Sequence, residues 1–131
     1  MKDGERNRSG AGVGLLLFAA SVSVGVHAGL APEHLREWAP LGASFIAAAV
    51  AVSAALVAFV ARPGAAWPSR ALALMLAGLV AAYCLTRLTA LPPVDPEREP
   101  LDAIGVATAA VEAAGLLFLL RLRLIPQGGT R

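Results

Sequence analysis

Residues 41–61, LGASFIAAAVAVSAALVAFVA, run without a charged side chain until Arg62-Pro63-Gly64 closes the stretch. A helix rises about 1.5 Å per residue, so this length spans about 30 Å, the thickness of a bilayer's hydrocarbon core. Backbone polar groups in lipid must bond within their own segment, which selects helix. Polar and apolar residues do not alternate here as they would in a barrel strand.

Three further blocks of the same kind flank this one, at about 11–31, 71–91 and 101–120. Between them lie polar breaks: Ala31 to Pro40, then Arg62 to Arg70, then the acidic, proline-rich Pro92 to Pro100. Residues 1–10 and 121–131 read as polar tails, and Pro32 reads as a first-turn residue of a short interfacial helix carrying Trp38. The whole chain, 1–131, is expected to be one all-α membrane domain, a bundle of four transmembrane helices with short loops. Composition agrees: 57% of residues are hydrophobic and 15% charged, against about 45–50% and about 25% in soluble domains. The mean hydropathy is +0.68.

Charge places the ends. With the N-terminus inside, Lys2, Arg6, Arg8, Arg62, Arg70, Arg121, Arg123 and Arg131 are cytoplasmic, and only Arg36 and Arg98 are outside. The excess of basic residues predicts both termini in the cytoplasm, and the expected location is a bacterial inner membrane. The stretch from Gly14 to Val26 followed by Val26-His27-Ala28 also has the outline of a signal peptide and its cleavage site. Its apolar block is long for that role, which favours a retained helix.

Three ionisable residues fall inside spans: His27, Arg87 and Glu112. Each costs about 2.5–3.5 kcal/mol to insert unless it is paired or wetted. Side chains lean toward the N-terminus of their own helix, so Arg87 and Glu112, on antiparallel spans, are expected to converge. Tyr83 lies one turn from Arg87, Thr108 one turn from Glu112 and Ser23 one turn from His27. His27, Tyr83, Arg87, Thr108 and Glu112 are therefore read as one intramembrane polar cluster. It would serve either as a proton-handling or polar-solute site or as a buried ion pair that fixes helix register.

A second candidate is an outer-surface metal or redox-associated site at His27 and His34 with Glu33 and Glu37, since imidazole and carboxylate suit Cu(II) or Zn(II). Both histidines share one span, which disfavours haem held between facing helices, and no cofactor is expected. Cys84 is the sole cysteine, so an internal disulfide is excluded. Asp102 is placed to cap the fourth helix. No P-loop, GxSxG or HExxH occurs, and the tails are too short and mixed in charge to bind nucleic acid. Small residues recur at four-residue spacing: Ser21, Gly25 and Gly29; Ala43, Ala47, Ala51 and Ala55; Ala73, Ala77 and Ala81; Gly105, Ala109 and Ala113. Such faces let helices approach closely in lipid.

At His27, Pro32-Glu33-His34, Glu37-Trp38, Thr86-Arg87, Leu91-Pro92, Asp102 and Glu112 the chain resembles a loosely defined set of small four-span bacterial integral membrane proteins. The resemblance covers nearly the whole chain and implies the four-span fold, with no activity to carry over. The leading expectation is a non-enzymatic accessory or assembly subunit that packs in the bilayer as a homo-oligomer or within a larger membrane complex. The alternatives are a small proton-coupled or polar-solute carrier built on Glu112, Arg87 and His27, and the metal site at His27 and His34.

Overall fold

A computed structural model describes residues 2–63, 65–92, 94 and 96–124, with side-chain surroundings for those between 12 and 121. Four helices follow one another: α1 (Lys2–Glu37), α2 (Ala39–Ala61), α3 (Ala66–Leu88) and α4 (Ala103–Leu124). Each contains a window long and apolar enough to cross a membrane, so the chain is a multi-pass membrane protein built as an all-α bundle. Helix α1 packs on α2 and α4, and α3 packs on the same two. The helices thus close a ring in chain order.

Several helix boundaries differ from the sequence reading. Helix α1 does not stop near Ala31; it carries Pro32 inside its last turns and ends at Glu37. Hydropathy locates hydrocarbon rather than helix, and Glu33, His34 and Arg36 extend α1 past the apolar block. Proline removes one backbone donor, leaving the Ala28 carbonyl without its usual partner. At the other end, residues 2–10 continue α1 instead of forming a tail, and residues 121–124 continue α4. Of the basic residues that set the expected orientation, Lys2, Arg6, Arg8, Arg123 and Arg131 lie outside the described side chains.

Only Trp38, in extended backbone, separates α1 from α2, and Pro40 stands in the first turn of α2. The two helices turn so tightly that a Cβ on Gly42 would strike the backbone nitrogen of Leu35. Glycine is required there by contact. A short turn, with Ala65 N–H donating to the Arg62 carbonyl at 3.0 Å, joins α2 to α3. Arg62 lies over the Trp67 ring at 5.5 Å. Trp38 and Trp67 therefore mark opposite ends of the bundle, as interfacial tryptophans do.

The contiguous buried cluster lies in the half nearer Arg62, while Ala31 and Leu41 are buried outside it, towards Trp38. Leu16, Ala20, Val52, Ala55, Leu72, Leu76 and Leu119 make up the cluster. Gly115 lets α4 close on this core, since a Cβ would lie 3.1 Å from that of Ala19 and 3.3 Å from Leu76. The half nearer Trp38 and the α3–α4 loop is packed differently: its helices surround a cavity.

That loop is tied down. Arg98 Nε donates to the Arg87 carbonyl at 2.6 Å, and Glu99 N–H donates to the Thr86 carbonyl at 3.1 Å. Both carbonyls belong to the last turn of α3, where no helical donor remains for them. The proline-rich segment thereby satisfies the end of α3 and folds back over the cavity.

Of the small-residue stripes, that of α4 lies within the bundle: Gly105, Ala109 and Ala113 are all partly buried. The α1 stripe does not. Ser21, Gly25 and Gly29 are exposed, and nothing lies within 4 Å of a Cβ placed on either glycine.

Candidate functional site: a polar cavity inside the bundle

The cavity between the helices measures about 550 Å³. All four helices and the α3–α4 loop contribute to it, and its lining includes His27, Tyr83, Arg87, Thr108 and Glu112. The five residues read as one polar cluster therefore do meet around one space. Their pairing differs from the expectation.

Glu112, 2% exposed, does not meet Arg87. It accepts a hydrogen bond from Ser23 Oγ at 2.6 Å and lies 4.0 Å from His27 Nδ1. Both contacts fall on Oε1. His27 Nδ1 is also 2.8 Å from the Ser23 carbonyl; donating there puts the proton on Nδ1 and leaves Nε2 as the acceptor in the neutral ring. Ser23 and His27 come from α1, Glu112 from α4, and the contact between those helices brings them together.

Arg87 is committed elsewhere. Its Nη2 donates to Asp102 Oδ2 at 2.9 Å, its Nη1 donates to Thr86 Oγ1 at 3.0 Å, and its guanidinium lies 4.4 Å over the Tyr83 ring. The reason is depth. Arg87 is in the last turn of α3, level with the start of α4, while Glu112 lies ten residues beyond Asp102, about 15 Å deeper along the helix. The nearer carboxylate takes the cation.

Asp102 caps α4 as its sequence position suggested. Its carbonyl accepts from Val106 N–H at 3.0 Å, and its Oδ1 accepts from Gly105 N–H at 2.6 Å. The Gly105 N–H above all holds the Asp102 carboxyl below the usual carboxylate range; burial opposes it, and the Arg87 guanidinium adds to the lowering. Gly105 has to be small: a Cβ there would lie 2.6 Å from Asp102 Oδ2 and 2.7 Å from Tyr83 Cε2.

Thr108 turns back on its own helix, Oγ1 donating to the Ile104 carbonyl at 2.7 Å. Tyr83 Oη and Arg87 Nε are buried with no hydrogen-bond partner, although nearly all buried polar atoms find one.

The metal set does not assemble. Among the described residues no three of His, Cys, Asp and Glu converge as metal ligands. His27, His34, Glu33 and Glu37 all line the cavity, but continuous helix spreads them over eleven residues. His34 Nδ1 instead meets Glu37 Oε2 at 3.2 Å. Sequence reasoning missed Phe45 of α2, which stands between the histidines at ring distances of 5.2 Å from His27 and 4.4 Å from His34. No local pattern could have placed a phenylalanine of the neighbouring helix there.

Nor do Ser23, His27 and Glu112 form a nucleophilic triad. The Ser23 hydroxyl donates to the carboxylate rather than to imidazole, and Ser23 is fully buried. A triad needs the base on the hydroxyl and the hydroxyl open to substrate.

Fold and site together define a multi-pass membrane protein with a polar cavity inside one half of its bundle. No family model matches the chain, and neither a curated protein nor a solved structure matches it.

Proposed function

We propose that this chain is a non-enzymatic membrane protein that takes a small polar solute into the cavity, as a binding or carrier protein, with Glu112 as the group that holds it. The supporting observation is the position of Glu112: a carboxyl group buried in a membrane helix, bonded through Oε1 to Ser23, at a cavity of about 550 Å³. That volume is within the range of small-molecule sites, about 300–1,000 Å³. An intramembrane carboxyl group is expensive to keep. The basic-residue bias supports cytoplasmic termini, so that the cavity opens outward from what we take to be a bacterial inner membrane.

A lipid-permeant carbodiimide tests the reading, because it modifies carboxyl groups in their protonated form. Modification at Glu112, mapped by peptide mass spectrometry, should fall as external pH rises and should diminish when solute occupies the cavity. Absence of modification at every pH where the protein stays folded would refute access to Glu112.

A second reading, lateral association as an accessory subunit, is supported by the bare face of Ser21, Gly25 and Gly29. Small faces are how helices approach in lipid. Gly25→Cys in a Cys84→Ser background should crosslink to a second copy in membranes; exclusively monomeric protein would count against self-association.

A further inference from the structure

The carboxylates around the cavity are unevenly answered. Glu33, Glu37, Glu99, Asp102 and Glu112 line it against one guanidinium, that of Arg87. Arg87 is already engaged by Asp102 at 2.9 Å. Glu37 has His34. Among the described residues no lysine or arginine forms an ion pair with Glu112; its nearest basic atom is a histidine nitrogen at 4.0 Å. With Oε1 holding Ser23, Oε2 is left for a ligand. A buried carboxylate without a cationic partner is strongly unfavourable, so a bound positive charge would complete it.

The remaining walls say what kind of cation. Phe45, Tyr83, Leu79 and Leu41 supply aromatic and apolar surface. No set of three metal-ligating residues converges among the described residues, and about 550 Å³ greatly exceeds the roughly 30 Å³ of a water-sized guest. A bare metal ion would leave the cavity unfilled and its apolar walls unused. A compact cation with an apolar body would use both. Its charge would meet Glu112, its body would cover the aliphatic and aromatic walls, and the rim carboxylates of Glu33 and Glu99 would draw it in.

We propose that the cavity binds a monovalent organic cation, an amine or quaternary ammonium with a small apolar body, paired with Glu112. This rests on the solute-binding reading above and specifies its ligand.

The full chain in lipid nanodiscs would be titrated with three probes of similar shape: benzyltrimethylammonium, neutral neopentylbenzene and anionic benzenesulfonate, each corrected against empty nanodiscs. The cation should bind at least about tenfold more tightly than the neutral probe, and the anion should not bind. Glu112→Gln should bring the two affinities within about twofold, whereas Glu112→Asp should keep the preference. Neutral or anionic probe binding as tightly as the cation would overturn the cation assignment while sparing the solute-binding reading. A Glu112→Gln protein that keeps the cation preference would also overturn it. Binding of none of the three would overturn both. If Glu112→Gln fails to fold, the three-probe comparison on the unaltered chain decides alone.

Discussion

Asp102 performs two separable tasks, and substitution can divide them. Oδ1 caps α4 through Gly105 N–H, and Oδ2 holds Arg87 across the gap from α3. Loss of a helix cap costs about 1 kcal/mol. The ion pair is half-exposed on the Asp102 side, at 49%, so solvent screening limits it to about 0.5 kcal/mol. Asp102→Ala should therefore destabilise the folded protein by about 1.5 kcal/mol. Asp102→Asn keeps an oxygen for Gly105 but loses the charge, and should cost about 0.5 kcal/mol.

The pH dependence has a defined sign. The Asp102 carboxyl is held below its ordinary value in the folded state, so its contribution is present above the unfolded value of about 3.9 and is lost as pH falls through the folded one. The gap between wild type and Asp102→Asn should be full near neutrality and close below about pH 4. Unfolding by increasing denaturing detergent in mixed micelles, followed by far-UV circular dichroism, measures all three proteins. Equal losses for Asn and Ala would refute the division into cap and ion pair. A gap that widens on acidification would refute the sign.

Further outcomes follow from the packing. Gly42→Ala should destabilise by about 1–3 kcal/mol, because its Cβ meets backbone rather than a flexible side chain; unchanged unfolding would show that α1 and α2 can separate at no cost. Leu76→Ala should cost about 2 kcal/mol, towards the low end for buried leucines because lipid, unlike water, is as apolar as the core. Leu74→Ala, at a position 67% exposed, should be nearly silent in the same titration. Glu112→Gln and Arg87→Gln should be close to additive in a double-mutant cycle, whereas Arg87→Gln and Asp102→Asn should couple; the reverse pattern would restore an Arg87–Glu112 pair. A reporter fused after Arg131 should read as cytoplasmic, and an external signal there would reverse the orientation.

The four helices were legible because each apolar block is long enough to admit no other structure in lipid. The continuation of α1 to Glu37 was not, because Pro32 marks either a helix start or a helix that neighbours can tolerate, and hydropathy falls at Glu33 in both cases. The polar residues facing the cavity could be picked out singly, since a charge inside a span stands out against alanine and leucine. Their partners could not. Whether Arg87 turns to Glu112 or to Asp102 depends on where α3 ends and how the loop returns, a matter of a few residues in depth. Whether Glu112 finds Ser23 depends on α1 lying beside α4, and two antiparallel spans carry no mark of which others they touch. The α1 stripe of Ser21, Gly25 and Gly29 shows the same limit: spacing reveals a face, but not whether the bundle covers it.

The single-residue turn at Trp38 bears on how the protein is made. Contacts close in sequence form at the least entropic cost, and α1 and α2 have only Trp38 between them. They can meet as a finished hairpin, Gly42 seated against Leu35, while the later helices are still being synthesised. The cavity has no such early stage, because its walls come from all four helices and from the loop stapled to the end of α3. During biogenesis Glu112 enters the bilayer last among the charged residues of the spans, into a pair of helices where Ser23 and His27 already wait. Capture of ligand would then report that the four helices have assembled around the cavity, not merely that they have been inserted.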